Sequence, residues 1–184
     1  MADGKYSLRF ASGNSSPNDL GEILSGDVGT AKYNLKVYAL DAGYLLDDTR
    51  YKNFSLYLKS GLSYFDEKVF SDSYEMTLYL KLYWDVPYLG KILRVGFGEG
   101  GSYTSKILLT EYLEAKERGD NNSKYLNYLD ISLDFDLGRV MSYKPLDNYY
   151  IGYALKHRSG IFGLINNVKH GGSNYNTLYI EKAF

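Results

Sequence analysis

Hydrophobic and polar residues alternate with period two along most of this chain, the spacing of half-buried β-strands. The clearest run is 76–86, where Met76, Leu78, Leu80, Leu82 and Trp84 interleave with Thr77, Tyr79, Lys81, Tyr83 and Asp85. Seven further runs read the same way. In 5–11, Tyr6, Leu8 and Phe10 oppose Lys5, Ser7 and Arg9. In 30–40, Ala31, Tyr33, Leu35, Val37 and Ala39 oppose Lys32, Asn34, Lys36 and Tyr38. In 53–65, Phe54, Leu56, Leu58, Leu62 and Tyr64 oppose Ser55, Tyr57, Lys59 and Ser63. The run 92–103 sets Leu93, Val95 and Phe97 against Arg94 before turning Gly-rich. The run 125–137 sets Leu129, Ile131, Leu133, Phe135 and Leu137 against Tyr128, Asp130, Ser132, Asp134 and Asp136. Ile151, Tyr153 and Leu155 share a face in 149–159, as do Leu178, Ile180 and Phe184 in 174–184.

Eight such runs predict an all-β fold, an eight-stranded antiparallel up-and-down barrel. One face of these strands carries Arg9, Lys36, Lys59, Lys81, Arg94, Asp130, Asp134 and Asp136; the other is almost wholly aliphatic and aromatic. Strands of about eleven residues, with charges on one side, tyrosines towards the ends and a terminal aromatic, predict a transmembrane barrel with an ion-paired interior. A soluble barrel of lipocalin type is the rival; the absence of an early Gly-x-Trp and the terminal Phe184 count against it. With both termini periplasmic, the outer connections fall near 12–29, 66–73, 104–123 and 160–172. The inner ones fall near 41–52, 87–91 and 138–147. Residues 107–119 carry a helical pattern that stops at Gly119.

Composition narrows the picture. At 184 residues, 1–184 reads as one domain. A net charge of −1 gives no reason to expect nucleic acid. Cysteine is absent and only two histidines are present, which argues against disulfides and against Cys- or His-rich metal sites. No apolar stretch approaches the ~18 residues of a membrane helix. The opening Met-Ala-Asp-Gly reads as a mature start behind an initiator methionine.

Both histidines lie in the closing segment HRSGIFGLINNVKHGGSNYNTLYIEKAF. His157 and Ser159 are at i and i+2 and continue the face of Ile151, Tyr153 and Leu155, the lipid-facing side. An ionisable group and a hydroxyl are costly there without a function. A histidine as general base and a serine as nucleophile suit attack on an ester carbonyl. GFGEGG at 96–101 resembles a nucleotide loop only superficially and reads as a barrel strand thinned by glycine. Lys52, Lys68, Lys106 and Arg158 are candidate phosphate contacts, though Arg158 has the parity to pair with an interior acid. Asp130, Asp134 and Asp136 read as partners of Lys81 and Arg94 rather than as a cation site.

HRSGIFGLINN, then GGSNYNTLYI and the aromatic terminus, resemble the catalytic end of the lipid A 3-O-deacylases (PagL family) over about the last 35 residues. The resemblance implies an outer-membrane esterase that removes the 3-O-linked acyl chain of lipid A in lipopolysaccharide. It would need no cofactor and no metal, and its site would face the outer leaflet. It makes His157 the base and Ser159 the nucleophile, with Gly160 and Asn167 positioning the substrate or oxyanion. The family pattern expects a glutamate as the third member. No acid lies between His157 and Glu181, and counting gives Asn174 from the terminus or Ser173 from the Gly pair. His170 is a further candidate in the same loop. The missing acid keeps a non-catalytic structural or lipid-binding barrel as the alternative.

Overall fold

The computed structural model describes residues 4–29, 35–49, 53–67, 70–170 and 172–184. Eight antiparallel strands form a closed barrel in chain order: β1 Tyr6–Ser16, β2 Lys36–Thr49, β3 Phe54–Asp66, β4 Ser73–Asp85, β5 Leu93–Thr104, β6 Tyr125–Asp136, β7 Tyr149–Ser159 and β8 Ser173–Ala183. Closure is made by β1 and β8, from Ser7 opposite Ala183 to Ser16 opposite Asn174. Among the described residues, three α-helices lie in the connections: α1 Leu20–Leu24, α2 Leu109–Arg118 and α3 Leu137–Met141. The helical pattern read over 107–119 is α2, and Gly119 closes it in the left-handed conformation at φ 64°. One end of the barrel carries the β1–β2, β3–β4, β5–β6 and β7–β8 connections (the loop end); the other carries the start of β1 and the end of β8 (the turn end).

Side-chain parity turns the barrel inside out relative to a soluble protein. Arg9, Lys59, Lys81, Arg94, Asp130, Asp134 and Asp136 are buried inside. Met76, Leu78 and Leu178 stand 59–70% exposed on the outside. An apolar exterior of this kind is the lipid-facing surface of a transmembrane barrel.

Buried charges are tolerable only when paired and hydrogen-bonded, and these are. Arg9 spans the lumen. Its Nε donates to Asp41 at 3.0 Å, and a terminal nitrogen donates to Asp130 at 2.6 Å and to Tyr79 at 3.0 Å. Lys81 also pairs with Asp130. Nearer the turn end, Lys59 binds Glu181 at 2.6 Å and Arg94 binds Asp134 at 2.9 Å. The Arg94 guanidinium sits between the rings of Tyr83 and Tyr150, at 3.8 and 3.5 Å from their centroids. Asp136 instead caps α3, accepting from the Arg139 amide at 3.1 Å.

The glycine run has a steric cause. Gly96, Gly98 and Gly100 face inward opposite Tyr83, Lys81 and Tyr79 of β4. A Cβ at Gly96 would stand 2.6 Å from Lys81 Cε, and one at Gly98 2.9 Å from Lys81 Cδ. The thin strand makes room for the large one beside it.

β2 departs from the sequence expectation. It runs from Lys36 to Thr49, not over 30–40, so most of the predicted 41–52 connection is strand, with a register shift between Leu45 and Asp47. Its faces are also reversed: Leu35, Val37 and Ala39 are buried inside, while Lys36 has the outward parity of Tyr38 and Leu40. The reason is the loop end, where an apolar cluster packs over the lumen beside the Lys156–Glu75 and Arg158–Glu111 ion pairs. Leu35, Val37, Phe65 and Tyr175 pack there against Leu109 of α2 and Leu108 just before it. Ala31, Lys32, Tyr33 and Asn34 lie outside the described residues, as do Lys52 and Lys68. Leu137, read as strand, starts α3.

Aromatic residues mark both edges of the apolar band. Phe54 and Tyr64 on β3, Trp84 and Tyr74 on β4, and Phe135 and Tyr125 on β6 are each separated by ten residues along one strand. At ~3.3 Å per residue and a tilt near 40°, that spans about 25 Å of membrane, the height of a barrel's apolar band.

Candidate functional site

The same ten-residue step from the turn-end aromatics gives a different result on three strands. It leads from Tyr149 to Ser159 on β7, from Phe184 to Asn174 on β8, and from Tyr6 to Ser16 on β1. The loop-end girdle is therefore interrupted across β7, β8 and β1, and polar groups stand where the tyrosines would be.

The ladder brings these residues together. His157 is opposite Asn174, and Asn174 is opposite Ser16. Asn174 Oδ1 lies 2.7 Å from His157 Nδ1, and Asn174 Nδ2 donates to the Asn18 carbonyl at 2.9 Å. That second bond decides the first. A carbonyl only accepts, so the amide nitrogen must face Asn18 and the amide oxygen must face the histidine. The oxygen can only accept, so Nδ1 carries the proton and Nε2 keeps its lone pair. Burial helps to fix the arrangement, since Asn174 is 9% exposed and Leu155, one outward position below His157, is 2% exposed.

Ser159 follows on the same outward face, about 6.6 Å along the strand from His157. The two share a groove of about 1260 Å³ with Gly160, Phe162 and Asn174, bounded by the first loop and by α2. Gly160 is required by a close approach: a Cβ there would lie 2.0 Å from the Val168 carbonyl oxygen.

The structure thus gathers His157, Ser159, Gly160 and Asn174, and does not bring Asn167 to them. Asn167 is exposed on the loop, with φ 56° and its carbonyl accepting from Asn121 at 3.2 Å, and it does not line the groove. Ser173 faces the lumen and donates to Glu111 at 2.8 Å, so Asn174 is the residue that meets the histidine. Arg158 points inward too, 3.3 Å from Glu111. Lys106 is exposed beside Ser73, on the β4 side of the barrel. His170 lines the groove, with Nδ1 3.4 Å from Arg118, and its amide is held by Asp120. Sequence reasoning missed Asn18. It acts through a backbone carbonyl 156 residues from its partner, and no side-chain pattern marks it.

Above the lumen, α2 is held by two buried acids. The Leu109 amide donates to Glu67 at 2.9 Å, and Glu111 accepts from Ser173. Burial pushes the Glu67 carboxyl up to about 7, against the opposing pull of the Leu109 N–H.

No family model matches the sequence, and comparison with curated proteins finds no match. Solved structures do match over nearly the whole chain. The outer membrane enzyme PagL superposes with a TM-score of 0.61 at 14% identity, covering 97% of this chain and 99% of that one. Neisserial surface protein A (NspA) gives 0.55 at 12% identity, covering 100% of both chains. The Yersinia pestis outer membrane protein Ail, in a phospholipid nanodisc, gives 0.51 at 12% identity, covering 99% of this chain and 100% of that one. At these identities the likeness is one of fold. It joins this chain to a group of outer-membrane barrels that includes an enzyme and a surface protein.

Proposed function

We propose that this barrel is an outer-membrane esterase of the lipid A 3-O-deacylase type, working with its loop end outward and without a cofactor. The observation that carries the reading is the Asn18–Asn174–His157 chain of hydrogen bonds, with Ser159 beside it in a gap of the aromatic girdle. The chain leaves Nε2 of His157 as the free base. The gap puts Ser159 at the depth where an acyl ester meets the headgroup.

In this reading Ser159 Oγ attacks the ester carbonyl while His157 Nε2 takes its proton. The tetrahedral oxyanion is stabilised by the Gly160 N–H, next to the nucleophile. Collapse breaks the ester bond, and the imidazolium returns its proton to the departing sugar hydroxyl. Water, deprotonated by the same nitrogen, then releases the fatty acid and restores Ser159. Asn174 positions the imidazole as a carboxylate does elsewhere, an arrangement shared with Cys-His-Asn proteases.

Mass spectrometry of lipid A incubated with the folded protein tests this. The wild type should remove one ester-linked acyl chain, and Ser159→Ala and His157→Ala should each remove none. Full deacylation by both variants sinks the assignment.

One observation favours a second reading. An amide at position 174 stabilises an imidazolium less than an acid would, which fits a barrel that binds lipid without cleaving it. Folded wild-type protein that releases no fatty acid from lipid A would select that reading.

A further inference from the structure

The β7–β8 connection presents two large apolar side chains to the outside, Phe162 at 94% and Leu164 at 82% exposure. Single exposed apolar residues are ordinary, but two such side chains on one short loop need a reason. They are not on a loose tether. The Gly160 carbonyl accepts from the amides of Gly163 at 3.2 Å and Ile165 at 2.9 Å, and the Ile161 carbonyl accepts from Leu164 at 3.1 Å. Val168 is buried at 1% exposure under the turn. Asn166 Nδ2 donates to Ser123 Oγ at 2.8 Å and to the Tyr125 carbonyl at 2.9 Å. Asp120 accepts from the Lys169 amide at 2.8 Å. Ile161 and Phe162 both hold positive φ, 48° and 54°, a conformation costly for a β-branched or aromatic residue. A loop tied down this heavily and held in a strained shape displays its side chains in a fixed direction.

Its level is also fixed. Ser159, the last residue of β7, stands ten residues from Tyr149 and so at the girdle height of Tyr64, Tyr74 and Tyr125. The tight turn keeps residues 160–165 folded back near that level. Phe162 lines the groove that holds His157 and Ser159.

We infer that Phe162 and Leu164 form a rigid finger embedded in the lipid at the loop end, restoring from the loop the apolar anchor that β7, β8 and β1 lack. The occupant of this surface is the acyl region of that leaflet, continuous with the lipid-facing band of the strands. Resting on the esterase reading, the finger has a second role. Phe162 becomes one wall for the acyl chain whose ester lies at Ser159, and it sets how that chain enters from the side.

The chain has a single tryptophan, Trp84, which makes the test direct. Phe162→Trp and Leu164→Trp are each made in a Trp84→Phe background and reconstituted in phosphatidylcholine vesicles, with and without brominated acyl chains. Folding is checked by the heat-dependent gel shift, and wild-type Trp84 reports insertion. Both new tryptophans should emit blue-shifted light that brominated lipid quenches about twofold, as at an interfacial anchor. Water-like emission that aqueous iodide quenches and bromolipid does not would overturn the inference. This readout uses no substrate and stands apart from catalysis. For the second role, Phe162→Asp should lower deacylation of vesicle-embedded lipid A by about tenfold or more through lost chain positioning. An unchanged rate in an active protein removes Phe162 from the acyl path. Bromolipid quenching of both new tryptophans, together with a wild type that cleaves nothing, would uphold the finger and reject the esterase.

Discussion

The two sides of this barrel differ most at the loop-end rim. On β4 the outward column is apolar or aromatic throughout from Trp84 to Tyr74, on β3 it runs from Phe54 to Tyr64 with Ser60 as a polar step, and Tyr64 and Tyr74 pack ring to ring at 5.5 Å. On β7, β8 and β1 the matching positions are Ser159, Asn174 and Ser16, and the positions just inside include His157 and Asn14. Both sides share the ion-paired lumen, so interior packing does not explain the difference. It lies in what each side offers the membrane. One wall is an anchor; the other gives up lipid contact to keep hydrogen-bonding groups at the interface, a pattern that costs stability and implies use.

Closing the gap is the change with the largest expected effect. Ser159→Tyr completes the girdle on β7 and should abolish deacylation, a loss of about 10³-fold or more, with the heat-dependent gel shift intact. Tyr74→Ser opens the opposite wall and should leave the rate unchanged. A barrel that tolerates Ser159→Tyr with full activity would end the functional reading of the gap.

The shared lumen is tested next. Arg9→Met removes the ion pair to Asp41 and leaves Asp130 with Lys81, and removing one partner of a buried ion network costs about 3–5 kcal/mol. Urea unfolding in detergent or lipid should show that loss, whichever wall faces the substrate. Asn174→Ala should cost about 10–100-fold in rate, the usual effect of removing a group that orients a functional histidine. Its urea midpoint should stay close to wild type. A midpoint that collapses with the rate would make Asn174 a structural residue of the seam.

On the gap side, Asn14→Leu should stabilise the barrel by about 1 kcal/mol, because it replaces an amide with an aliphatic group on the lipid face. The smallest effect belongs to the plug. Glu67 titrates near 7 in the folded protein, well above its usual 4.5. Its contribution to holding α2 is therefore complete below about 4.5 and fades as pH rises through about 7. Amide exchange in α2, corrected for its intrinsic pH dependence, should be faster above neutrality, and Glu67→Gln should flatten that profile.

Most of the barrel is legible in the sequence because period-two alternation reports directly which side chains share a face. That is how Arg9, Lys59, Lys81, Arg94 and Asp130 can be assigned to a lumen before any coordinates. β2 is not legible because alternation says which residues share a face, not which face is inside. Asp41 looks like loop polarity until Arg9 is found across from it, and Val37 looks lipid-facing until α2 is found over the mouth. His157 and Ser159 can be paired from spacing alone. The choice between Asn174 and Ser173 cannot, since a one-residue slip reverses the face. Asn18 is invisible for a different reason: its contribution is a main-chain oxygen, identical in every residue type.

The hydrogen bond from Asn174 to the Asn18 carbonyl, which turns the amide oxygen towards His157, crosses the seam where the first and last strands meet. It cannot form until those strands have paired, which is the step that closes the barrel. A chain whose barrel has not closed carries the His157 and Asn174 of the β7–β8 pair without the bond that orients them. In the esterase reading, closing the barrel is also the step that arms the histidine.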